Sequence, residues 1–115
     1  MPTTGLVDVR HYTTYVEDVR ALKRAGHLEQ AAALLLRLVD ATEAEARANR
    51  WGVAPWYHEQ LAIIYAKQKD LASEISILER YERQTKAPGA RPSKLADRLA
   101  KVRARNGITV NQLRP

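Results

Sequence analysis

The chain has 115 residues with 45% hydrophobic and 28% charged side chains, enough apolar content for one small globular domain and too much for a disordered one. Cysteine is absent, which excludes disulfides, a thiol nucleophile and any cysteine-ligated zinc site, and fits a cytoplasmic setting. The longest apolar run, Ala31 to Leu36, is far short of the roughly 20 residues of a spanning helix, and MPTTGLVDVR has no secretory pattern, so no membrane partner is expected.

Residues 1–7 lack periodicity and read as a flexible lead-in. One helical domain is expected over 8–105. From Asp8, a potential N-cap, Val9, Tyr12, Val16, Val19 and Leu22 recur at helical spacing, and Gly26 stops the helix. The second helix runs to Arg50 on the stripe Leu28, Ala31, Ala32, Leu35, Leu38, Val39 and Thr42. Past Thr42 the segment TEAEARANR alternates in charge and predicts a more solvated rod. These two helices make a first hairpin, 8–50. Pro55 suits the first turn of a third helix that ends near Lys69 and carries Trp56, Tyr57, Leu61, Ile64 and Tyr65. Asp70 caps a fourth, facing inward with Leu71, Ile75, Leu78 and Tyr81, which completes a second hairpin over 55–85. KAPGARP breaks helicity. Ser93 then caps a fifth helix to Arg105, on an apolar stripe of Leu95, Leu99 and Val102, and residues 106–115 read as a flexible tail.

The chain repeats itself. LKRAGHLEQAAALLLRL (22–38) aligns with YAKQKDLASEISILERY (65–81) at a constant offset of 43 residues. With Leu61, Ala62 and Tyr65 before the second turn, and Gly26, Ala31, Leu35 and Leu38 around and after the first, residues 12–85 resemble the tetratricopeptide repeat, a helix–turn–helix unit of about 34 residues. Departures are Asp18 for an apolar residue, Lys69 for the turn glycine, Glu74 and Tyr81 for small residues, and a longer second helix. The segment 51–70 also looks like helical segments of bacterial HIRAN-domain proteins. The resemblance implies an all-α fold of two stacked antiparallel hairpins closed by a C-terminal capping helix. Two repeats fall below the usual minimum of about three, so self-association or membership of a longer chain is expected.

Catalytic signatures are lacking. His58-Glu59 would begin a helical zinc motif, but Ala62 stands where the second histidine belongs, so no metal or other cofactor is expected. His11 and His58 read as surface or boundary residues and His27 as a turn residue. No glycine-rich phosphate loop or nucleophile elbow occurs. A non-enzymatic protein is expected.

Two surfaces could bind. The resemblance carries a concave groove onto Thr13, Val16, Arg20 and Lys23 of the first copy and Trp56, Glu59, Ile63 and Lys67 of the second. That set would suit a protein or peptide segment with an apolar anchor and acidic flanks. Trp56 and Ile63 fit groove lining or packing under the second helix equally well. The other surface is basic. The net charge of +6 lies wholly beyond residue 90, where Arg91, Lys94, Arg98, Lys101, Arg103, Arg105 and Arg114 face one anion, Asp97. Lys94, Arg98, Lys101 and Arg105 fall within about 60° on a helix, and with Arg91 they form a stripe able to follow a nucleic-acid phosphate backbone. The first reading is therefore an adaptor for an acidic protein, and the alternative is a nucleic-acid accessory protein.

Overall fold

A computed structural model describes residues 5–8 and 10–113. It is all-α apart from one small β-hairpin: β1 (Leu6–Val7), β2 (Arg10–His11), a 3-10 turn over Tyr12–Tyr15, then α1 (Val16–Arg24), α2 (Leu28–Asn49), α3 (Pro55–Lys67), α4 (Leu71–Glu82) and α5 (Arg91–Leu113). Consecutive helices pack on one another, and α5 lies against both α4 and α3.

Both helical hairpins are closed by the same turn. His27 N–H returns to Leu22 O and Asp70 N–H to Tyr65 O, each at 2.9 Å, while Gly26 N–H bonds Lys23 O and Lys69 N–H bonds Ala66 O. These pairs differ by the 43 residues of the sequence repeat. The bonding is that of a helix end closed through one left-handed residue. Gly26 adopts that conformation freely at φ 78°, whereas Lys69 is held there at φ 57°. Lys69→Gly is therefore expected to stabilise the protein by about 0.5–1 kcal/mol, read as a higher urea midpoint at unchanged m. After the second turn Asp70 caps α4, accepting from Ser73 N–H at 3.1 Å, as its position predicts.

The core runs through all five helices, with Val19, Leu35, Leu38, Leu61, Ile64, Leu78, Leu95, Leu99 and Val102 buried. Around it the structure corrects several expectations. Asp8 does not cap a helix. It sits at φ 57° in the turn of the β-hairpin, where Leu6 pairs with His11 and Val7 with Arg10, and its carboxylate reaches Arg37 on α2 at 2.8 Å. The hairpin is fastened by Tyr15, whose hydroxyl donates to Val7 O at 2.8 Å, and by Tyr12, whose N–H bonds Gly5 O and whose ring packs edge-on against Tyr57. Residues 5–7 of the expected lead-in are thus part of the fold, while 1–4 lie outside the described residues. Helix α1 begins only at Val16, because His11, Thr13 and Thr14 bond one another and hold a tighter turn first. Beyond Thr42, α2 is not a solvated rod, since Thr42, Glu43 and Ala46 continue its buried face. Helix α5 starts at Arg91, two residues before Ser93, with Lys94 N–H on Ala90 O, and it continues through the expected tail to Leu113.

Candidate functional site

Three of the helices contribute to one polar face. Lys23 of α1 donates through Nζ to Gln60 Oε1 of α3. Burial lowers the Lys23 pKa, and the nearby charges of Lys67 and Arg20 lower it further, with Glu59 opposing them. Arg20, Lys23, Glu59 and Lys67 of the expected groove are therefore neighbours. Trp56 and Ile63 stand on α3 in register with Gln60 and Lys67, at spacings of four, three and four, and both are half-buried. Trp56 meets Tyr57 edge-to-face with ring centres 5.1 Å apart. Val16 is half-buried at the start of α1. Thr13 departs from the expectation: it stands in the 3-10 turn before α1, its hydroxyl 2.8 Å from His11 Nδ1.

Glu59 carries this face onward to α5. It accepts from Arg91 Nη1, and with Lys94, Asp97, Arg98 and Lys101 it lines a cleft of about 340 Å³ between α3 and α5. The expected groove and the expected basic stripe thus meet at one glutamate.

The stripe itself is not an outward row of cations. Arg98 donates to Glu74 at 3.2 Å, Arg105 reaches the same carboxylate at 4.0 Å, and Arg91 holds Glu59. Glu74 is only 2% exposed, on the side of α4 that meets α5, and a buried carboxylate needs cationic partners. Arg103 pairs with Glu79 at 2.9 Å, so Glu79 serves α5 and not its own helix neighbour Arg83. Lys94 and Lys101 remain exposed and outside any ion pair among the described residues.

A second cluster lies inside the fold. His58 is 0% exposed, which corrects its reading as a boundary residue. Its Nε2 is 2.8 Å from Glu43 Oε2. Arg80 of α4 grips the same carboxylate with two hydrogen bonds of 2.9 Å and extends Nη2 to Asp40 Oδ1 at 2.6 Å. Burial pushes the Glu43 carboxyl up, but hydrogen bonds from His58 and Arg80 and their charges outweigh it, and its pKa lies below the ordinary value. These contacts tie α2, α3 and α4 together through one carboxylate. No substrate reaches a ring with no exposed surface, so the cluster acts as a brace. The signal for it in the sequence was slight: Glu43 sits one position after Thr42, the last residue of the α2 stripe.

No family model, curated protein or solved structure matches the chain. Among the described residues, no group of three or more His, Asp or Glu could hold a metal ion, and no helix is long and apolar enough to cross a membrane.

Proposed function

We propose that the protein is a TPR-like, non-enzymatic adaptor that holds a segment of an acidic protein partner on the face of α1, α3 and α5. One observation carries this reading: Lys23, partly withdrawn from water, bonds a neutral amide while Lys67 and Arg20 (itself paired with Glu17) crowd it with like charge that Glu59 only partly offsets. A carboxylate arriving there relieves that repulsion and gains charge-assisted hydrogen bonds. Trp56 and Ile63 supply the apolar anchor beside it, and Lys94 and Lys101 bring two exposed cations to the adjoining cleft, which Glu59 and Asp97 also line. The alternative of phosphate binding along α5 has less to offer, because Arg91 and Arg98 are engaged by Glu59 and Glu74. Reversing Arg98 would also strand a buried carboxylate, so it makes a poor probe of binding.

The test is a fluorescein-labelled peptide with one leucine flanked by Asp and Glu, titrated by anisotropy at low salt. Lys23→Glu and Trp56→Ala are each expected to weaken binding about tenfold, equivalent to 1.4 kcal/mol, with helical circular dichroism unchanged. A peptide that does not bind, or that binds both folded variants as well as the parent, overturns the reading.

A further inference from the structure

Helix α2 ends on a cationic, aromatic knuckle. Arg50 follows its last residue in the left-handed conformation, φ 58° and ψ 43°, and the N–H groups of Arg50 and Trp51 both return to Ala46 O. This turns the chain sharply and leaves Trp51 at 51% exposure, the most exposed of the large hydrophobic residues described. Arg47, Arg50, Trp51, Val53, Gln84 and Thr85 line an open groove of about 310 Å³ beside it. No carboxylate lines that groove. Arg47 and Arg50 make no ion pair among the described residues, unlike Arg80 on α4 and Arg91, Arg98 and Arg103 on α5. At the groove wall, the Gln84 amide nitrogen donates to Arg80 O at 3.1 Å, which leaves its oxygen to accept from a ligand.

We infer that this groove binds single-stranded nucleic acid, with a base stacked on Trp51 and the flanking phosphates held by Arg47 and Arg50. A flat indole half out of water offers a stacking surface to any base, and two guanidinium forks match phosphate oxygens. The volume is at the low end of the roughly 300–1,000 Å³ of small-ligand sites, a size for one nucleotide unit. A duplex does not fit, because its bases are already stacked face to face. An acidic polypeptide would satisfy the arginines yet leave the indole face unused. None of these residues belongs to the face of α1, α3 and α5, so the two sites stand or fall separately.

The test is anisotropy of a labelled strand of about ten thymidines or uridines, within the range of single-strand site sizes, between about 50 and 200 mM salt. Trp51→Leu is expected to weaken binding about tenfold, the scale of one base–aromatic stack, and Trp51→Phe to keep most of it. Arg50→Gly suits the left-handed backbone better than arginine, so it should fold at least as stably while binding less and flattening the log–log salt slope by about 0.7. The inference is overturned if the strand does not bind at low salt, if Trp51→Leu binds as the parent does, or if the matching duplex binds as tightly. It is equally overturned if Lys94→Glu and Lys101→Glu abolish binding while the Trp51 and Arg50 variants do not. A poly-glutamate chain that quenches Trp51 fluorescence where the strand does not would reassign the groove to an acidic polypeptide.

Discussion

Gly52→Ala is expected to cost about 3 kcal/mol or more, enough to consume much of the stability of a domain this small. The residue lies where the α2–α3 loop crosses the α4–α5 loop. Next to it Val53 N–H bonds Thr85 O at 2.9 Å, and Val53 forms a parallel bridge with Lys86. A methyl group on Gly52 would overlap Ala87 N and Lys86 C and stand 2.6 Å from Ala87 Cα. Those are backbone atoms of a loop joined to α4 and α5, so relief requires the two loops to part, and the Val53 bonds go with them. Gly26→Ala separates this from a conformational penalty. Gly26 has φ 78°, and a Cβ added there meets nothing within 4 Å, so alanine costs only about 1 kcal/mol of backbone strain. Urea midpoints of the two variants make the comparison. A Gly52→Ala loss no larger than that of Gly26→Ala would show that the loops separate freely.

The close approach at Gly52 illustrates what a sequence conveys and what it does not. The end of α2 just before this glycine was legible, because helix ends follow local rules of periodicity, capping and backbone freedom. The same local rules made the five helices and the tight turn at Gly26 readable, and the offset of 43 residues between the two hairpins with them. That a second loop passes over Gly52 is a tertiary fact with no local trace. The β-hairpin hid for a related reason: two-residue strands are too short to alternate, and Val9, Tyr12 and Val16 happen to sit at helical spacing. Glu43 and His58 were misjudged, and the burial of Glu74 was not foreseen, because charged or titratable residues are usually solvated. Each is buried here because a partner from another helix satisfies it: Arg80 for Glu43, Glu43 for His58, and Arg98 for Glu74. The ion pairs of the basic stripe went unseen for the same reason, since a helical wheel shows which cations share a side and not which carboxylates await them across the interface. Of the expected groove residues, Arg20, Glu59 and Lys67 lie close enough to Lys23 for their charges to act on it.

The brace around Glu43 leads to the other large effect. Glu43→Ala removes the one carboxylate that answers both His58 and Arg80, and is expected to cost about 3–5 kcal/mol, the usual result of breaking a buried ion pair from one side. Asp40→Ala takes away the outer contact to Arg80, but that carboxylate is exposed, so its loss costs about 0.5 kcal/mol. Acid dependence distinguishes the charge of Glu43 from its packing. Its folded pKa is depressed, so the stability it supplies is present in full above the ordinary carboxylate range and drains away as pH falls through that range and below it. Glu43→Gln keeps the shape and one acceptor oxygen but cannot titrate. Plotted against pH, the stability difference between the parent and Glu43→Gln should be greatest near neutrality and shrink steadily on acidification. A difference that stays constant down to the acid limit would mean that the carboxylate is held by packing alone, and that Arg80 contributes nothing through charge.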